Sequence, residues 1–282
     1  MRDTQRVWTV EDFQRKVRRI RDEWIHEDKK QPDADWCPWF RGEANAEWDT
    51  RLRPRLYRHP ATTKREKKQL LYADQEIRLE FHRRVGQFVQ GKQLDKWERY
   101  CLMQAYGAPT RLLDWTDGSL TALYFALNSR RRKNDPHKDA DAAVYMLDPW
   151  WLNAKTYRKA NPPRAEGVAL SDWDEAERYV RDEIDSHLLK PKIPLAVDPP
   201  YLASRMAAQR AHFTIFGTDL DGLISSSSRS DSRLWRIRIA HPSLHALQKE
   251  LTLSGISESM LFPDLEGLGR ELSHFWEELL RQ

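Results

Sequence analysis

Residues 104–126 crowd together side chains that can do chemistry. They read Gln-Ala-Tyr-Gly-Ala-Pro-Thr-Arg-Leu-Leu-Asp-Trp-Thr-Asp-Gly-Ser-Leu-Thr-Ala-Leu-Tyr-Phe-Ala. A second stretch, Trp39-Phe-Arg-Gly-Glu, follows Phe40 with Arg41, Gly42 and Glu43. Arg41 and Arg111 offer forked donors that match a phosphate or pyrophosphate. Gly42 lets a ligand come close to the backbone. Gln104, Thr110 and Thr116, with Gln209 from a later segment, are neutral hydrogen-bonders suited to an amide or a sugar hydroxyl. Trp39, Tyr106 and Trp115 present rings for stacking on a base or a nicotinamide. Asp114 and Glu43 are carboxylates placed to face a developing positive charge. The same pattern also describes a buried Arg–Asp pair and a helix cap in a packed strand–turn–helix.

The elements that must hold these groups follow from local pattern. Gly107 and Pro109 make a turn. Residues 110–115 read as a short strand with an apolar centre. Thr116 or Asp117 then caps a helix that opens at Gly118 and Ser119 and carries Leu120, Leu123, Tyr124 and Leu127 on one face. Its N-terminus, with free N–H groups and partial positive charge, adds to the expected phosphate site. Arg41 lies at the end of a short apolar strand.

Elsewhere, 8–28 reads as an amphipathic helix capped by Thr9, with Phe13, Val17, Ile20 and Trp24 inward. Residues 44–63 form a basic loop through Arg51, Arg53, Arg55 and Arg58. Helices are expected over 66–89, with Leu70, Ile77, Phe81 and Val85 inward, and over 93–104, which delivers Gln104 to the site. Further helices are expected over 173–189, 204–210, 242–253 and 264–281. Strands are expected at 142–147, 196–197, 213–216 and 234–239. The fold class is α+β: a helical N-terminal part and a small mixed or antiparallel sheet flanked by helices. Residues 1–35 form the N-terminal helix and linker, and 36–282 the main domain.

The net charge of +4 permits a nucleic-acid partner without demanding one. Arg51–Arg58 and the basic run 130–133 are phosphate-contacting segments on one reading and solvated charge on the other. Cys37 and Cys101 suggest neither disulfide framework nor metal site. The sequence shows no signal region and no apolar run long enough to span a membrane, so a cytoplasmic protein is expected. There is no glycine-rich phosphate cradle, no zinc spacing and no nucleophile elbow. A magnesium nuclease built on Asp114 and Glu43 would lack a third acid of recognisable spacing.

Phe40-Arg41-Gly42 and the run from Gln104 to Ala126 resemble the FRG-domain family, named for its Phe-Arg-Gly signature. Gln209-Arg-Ala-His-Phe-Thr-Ile, Leu253-Ser-Gly-Ile and Phe262-Pro-Asp-Leu are also similar to it, so the likeness runs from about residue 36 to 270. The family commonly has His after the Gln of its central motif. Ala105 stands there, so that His has no part in any chemistry of this chain.

The inventory also looks like that of the ADP-ribosyltransferase class, in which an early-strand Arg, a Ser or Thr before a helix and a late acid hold NAD. That resemblance implies an NAD-cleaving or NAD-transferring enzyme of the toxin or defence-effector kind, acting on a nucleic acid or protein acceptor, with Arg41, Thr110, Asp114 and Gln209 as its catalytic set. Phe40, Gly42, Glu43, Gln104, Tyr106, Arg111, Trp115 and Thr116 would bind the nucleotide. Glu258, Asp264 and Glu266 are candidates for the late acid, and His212 for a general base. The alternative is a non-catalytic module for a nucleotide or nucleic acid, whose binding would weaken steeply with salt.

Overall fold

The computed structural model describes residues 1–27, 37–48, 50–89, 91, 93–128, 139–157, 169–170, 174–180, 191–228 and 231–280. The basic run 130–133 and the second half of the helix expected over 173–189 lie outside them.

The strands are β1 (Arg2–Asp3), β2 (Trp39–Glu43), β3 (Leu112–Thr116), β4 (Ala142–Leu147), β5 (Ala169–Leu170), β6 (Leu195–Asp198), β7 (Ala211–Ile215) and β8 (Leu234–Ile239). They form one sheet of eight strands in the order β1-β8-β4-β2-β3-β7-β6-β5. Only β1–β8 and β5–β6 pair in parallel. The class is α+β, as expected, but the sheet is larger than the small one anticipated. The expected N-terminal helix is preceded by a two-residue strand, in which Arg2 and Asp3 extend the sheet edge beside Trp235 and Arg236.

Helix α1 (Val10–Glu27) begins where Thr9 accepts the Asp12 N–H, at 3.1 Å, and it buries Phe13, Ile20 and Trp24. Helix α2 (Lys64–Val85) and helix α3 (Lys96–Ala105) each start with a reciprocal capping box, Thr63/Glu66 and Asp95/Glu98. After β3 comes α4 (Ser119–Asn128). The short α7 (Ser204–Ala208) precedes β7. Helices α5 (Pro149–Tyr157), α6 (Asp174–Val180) and α8 (Gly222–Ser226) pack elsewhere. The chain then runs through α9 (Leu244–Leu253), α10 (Glu258–Leu261) and α11 (Leu265–Leu279).

Strand alternation sorts the core. One face of β2, β4 and β8 sends Phe40, Val144, Met146 and Ile237 against α1, α4 and α9. The same face of β3, β7 and β6 sends Leu112, Phe213, Ile215 and Val197 against α3 and Tyr179 of α6. The two groups share a face because Phe40 pairs with Thr116, and Thr116 with Ala211, and paired residues point to the same side. The opposite face carries Trp39, Leu113, Trp115 and Tyr145 over Leu52, Leu56 and Tyr57.

Two sets of helices therefore stand on one face and leave a gap between them. Beneath the gap β2 and β3 share a single register pair, Phe40–Thr116, and then part. Gly42 permits the close approach of α4 to β2. A Cβ there would lie 2.0 Å from the Ala122 carbonyl oxygen and 2.4 Å from the Ala126 nitrogen.

Candidate functional site

A cavity of about 290 Å³ fills this gap. Its floor is Phe40, Asp114, Thr116, Ala211 and Phe213, which alternation puts on one side. Phe125 and Phe262 wall it on the α4 and α10 side, their rings edge to face at 6.1 Å. Gln104, Ala105 and Met206 wall it on the other.

Asp114 is the exposed carboxylate of the floor, with 55% of its side chain open. Gln104 Nε2 lies 2.8 Å from each of its oxygens. The hydroxyl of Thr110 donates to Gln104 Oε1, which turns the amide NH2 toward the carboxylate. Thr110 itself is fully buried. Its place is behind Gln104 and not at a substrate, which corrects its expected catalytic role.

Arg41 fills the split between the strands. Its Nη1 donates to the Asp114 carbonyl oxygen at 3.0 Å, where a continuous ladder would bring a backbone N–H. Its Nε reaches Glu43 Oε1 at 3.3 Å. Glu43 is buried and also accepts the Thr50 hydroxyl at 2.8 Å. Glu43 therefore supports Arg41 rather than meeting a ligand itself.

Arg205 and Gln209 come from the α7 end. Arg205 Nη1 donates to the Ala105 carbonyl at 3.1 Å, and its Nη2 pairs with Asp264 at 3.2 Å. Its guanidinium lies 5.7 Å from the Phe262 ring centre. Gln209 Nε2 donates to the Leu261 carbonyl at 3.1 Å and so ties α7 to α10.

Other expectations need correction. Arg111 is fully buried away from the cavity. It pairs with Asp74 at 3.0 Å and donates to the carbonyls of Phe216 and Tyr179. Burial works against the Asp74 charge, but Arg111 and Arg78 hold its carboxyl below the usual range. The Arg–Asp pair of the structural alternative exists, with Asp74 in place of Asp114. Trp115 is buried on the opposite face, its indole N–H on Thr214 Oγ1 at 3.0 Å. Trp39 stacks on His212 with ring centres 4.6 Å apart. Tyr106 is 66% exposed outside the cavity, with the Arg205 guanidinium 5.5 Å from its ring. None of these three rings supplies a stacking surface in the cavity; Phe40, Phe125, Phe213 and Phe262 do.

The start of α4 already has its anion. Asp117 pairs there with Arg210 at 2.6 Å and stands 3.7 Å from His212. Thr116 Oγ1 accepts the Gly118 N–H at 3.0 Å while facing the floor. His212 alternates with Ala211 and Phe213, so it points away from the cavity, with its Nδ1 2.6 Å from Asp198. Burial opposes its cation, but Asp117 and Asp198 prevail and raise its pKa.

Among the late acids, Asp264 reaches the rim through Arg205 and accepts the Gly267 N–H at 2.8 Å. Glu258 accepts from Tyr124 and pairs with Arg270 at 2.8 Å. Glu266 pairs with Arg270 on the surface. In the basic loop, Arg51 and Arg53 pair with Asp221, and Arg55 donates to the Gly107 carbonyl. Among the described residues, no three His, Cys, Asp or Glu side chains are grouped to hold a metal ion, and no helix is long and apolar enough to cross a membrane.

Residues that sequence reasoning missed are Phe125, Arg205, Met206 and Phe213. Phe125 lies off the face read for that helix (Leu120, Leu123, Tyr124 and Leu127), and Met206 and Phe213 fall in segments read only as a helix and a strand. Arg205 had no signal, because its partners Ala105, Tyr106, Phe262 and Asp264 come together only in the fold.

Comparison with known families gives one match. Residues 36–135 match the family model described as FRG domain. That span holds β2, α2, α3, β3 and α4, and with them Arg41, Gln104 and Asp114. No curated protein matched the chain. No solved structure did either.

Proposed function

We propose that this chain is a nucleotide-directed enzyme that breaks the N-glycosidic bond of an NAD-type nucleotide, with Asp114 as the carboxylate under the reacting sugar. The observation that carries this reading is Asp114 itself, an open carboxylate fixed by Gln104 among four phenylalanine rings. A pyridinium ring is flat and cationic, and it suits aromatic faces beside a negative charge.

The charges around the cavity agree with that ligand. Arg41 is shared between Glu43 at 3.3 Å and Asp114 Oδ2 at 3.8 Å, and Arg205 pairs with Asp264, so three carboxylates face two guanidiniums here. Such a balance favours a cationic leaving group over a bare polyanion. In the reaction the ribosyl C1′–N bond breaks and its electron pair goes to the ring nitrogen, releasing neutral nicotinamide. The ribosyl oxocarbenium left behind is stabilised by Asp114 and captured by water or an acceptor nucleophile, which gives up a proton. Arg205, at the rim, is placed for a phosphate of the same substrate, exchanging Asp264 for it.

A phosphodiester-gripping module has less support, since Arg51, Arg53 and Arg55 already serve partners within the chain. Purified protein incubated with NAD, with and without cell extract as acceptor source, should release nicotinamide on chromatography. The Asp114→Asn variant should lose that release. Absence of nicotinamide under both conditions, or release that survives in Asp114→Asn, would sink the reading.

A further inference from the structure

Helix α11 presents an apolar stripe that nothing among the described residues covers. Leu265 is 87% exposed, Leu268 43%, Leu272 56%, Phe275 57% and Leu279 51%. Trp276 beside them is 60% exposed, and Leu280, just past the helix, 68%. The five core positions advance by three, four, three and four residues, the spacing at which helices interlock. At 100° per residue the whole set spans about 140° of the helix surface.

The opposite side of α11 is the one that docks on its own chain. Gly267 is buried against the Phe262 carbonyl, where a Cβ would lie 2.0 Å away. Arg270 pairs with Glu258 at 2.8 Å and lies 4.4 Å from the Phe262 ring centre. Glu271 accepts the Ser259 N–H at 2.7 Å. The helix is thus held in place by one face, and the stripe is not a packing surface turned outward by chance.

We infer that α11 is the contact between two copies of this chain, each stripe packing on the other across a two-fold axis. Two features select a second copy as the occupant. A three-four stripe of leucine and phenylalanine is its own complement, since each side chain is both a knob and part of a hole. The open side chains also amount to several hundred Å², close to the roughly 800 Å² that each partner contributes to a standard interface and at or above the largest patch a monomer usually exposes. No charge interrupts the stripe to demand an oppositely charged partner.

The contact does not involve the Asp114 cavity, so it stands or falls apart from the proposed NAD chemistry. The test is the mass of the full chain by light scattering after gel filtration, at about 100 µM, well above the micromolar affinities that bound weak interfaces of this size. The expected result is twice 33.4 kDa. The double variant Leu272→Glu/Phe275→Glu should run at 33.4 kDa with unchanged circular dichroism, because both side chains are exposed in the isolated chain. Should that variant misfold, Leu272→Ser/Leu279→Ser takes its place and should weaken association at least tenfold. A wild-type chain that is monomeric at this concentration overturns the inference, as does a folded stripe variant that remains a dimer.

Discussion

Gln104 grips Asp114 across the cavity with a single amide nitrogen, 2.8 Å from both carboxylate oxygens. Its own carbonyl end is held by buried Thr110. The amide thus has one orientation, and the carboxylate has one position. Gln104→Leu keeps the side chain's length but removes the grip. If Asp114 acts at the reacting sugar, nicotinamide release should fall by about a hundredfold, as for other misplacements of about 1 Å. The loss should appear in kcat with KM little changed, because Gln104 touches Asp114 and not the remote parts of the substrate. Thr110→Val should give a smaller loss of the same kind. Equal activity in Gln104→Leu and wild type would mean that the grip has no catalytic part.

Arg41 and Arg111 looked alike in sequence and separate in the fold. Arg41 borders the cavity, 15% exposed, whereas Arg111 is sealed against Asp74. Removing Arg111 leaves a buried carboxylate short of its main counter-ion. Arg111→Met should therefore cost about 3–5 kcal/mol of stability, the usual penalty for breaking a buried pair. Urea unfolding measures it directly. Replacing both partners, Arg111→Met with Asp74→Leu, should recover part of the loss, since the buried carboxylate goes with its main counter-ion, and only part because Arg78 gives up its own pair with Asp74 at 3.3 Å. A single variant as stable as wild type would show that the pair is not what holds α2 to β3.

Gly42 tests the packing that forms one wall of the cavity. Gly42→Ala forces a methyl carbon into the Ala122 carbonyl and the Ala126 nitrogen, both backbone atoms that cannot rotate aside. Overpacking of this kind costs about 1–3 kcal/mol. It should also push α4 from β2 and shift Phe125 at the cavity wall. Thermal unfolding should show the lower stability, and ligand binding should weaken along with it. Gly86→Ala is the control, because a Cβ there meets nothing within 4 Å.

How much of this was legible follows from how local each signal was. The α+β class, the helix cap at Thr9 and the core of α1 were readable, because period and capping act within a few residues. The convergence of Phe40, Arg41, Gln104, Asp114 and Gln209 on one cavity was also anticipated, since the central turn brings α3 and β3 together. Arg111 was misplaced because its partner Asp74 sits 37 positions earlier on α2. Trp39 and Trp115 were misplaced because strand alternation decides the face, and one register step separates them from Phe40 and Asp114. The length of the sheet was missed because its edge strands are two residues long and carry no period at all.

His212 supplies the last test, one of pH. Its ring is stacked on Trp39 and flanked by Asp198 at 2.6 Å and Asp117 at 3.7 Å, with Arg210 paired to Asp117. Burial alone would lower its pKa, and the two carboxylates raise it above the ordinary value of 6.5. A group whose pKa is higher in the folded chain binds its proton more tightly there. Its stabilising contribution is complete below pH 6.5 and is lost as pH climbs through the raised folded value. Urea unfolding of wild type and His212→Gln should therefore differ most in mildly acidic buffer and converge in alkaline buffer. The variant should give a flatter dependence of stability on pH over that window. Because the ring points away from the Asp114 cavity, nicotinamide release by folded His212→Gln should match wild type. A difference between the two proteins that grows with rising pH would show that the imidazole is held neutral, and that the two carboxylates do not outweigh its burial.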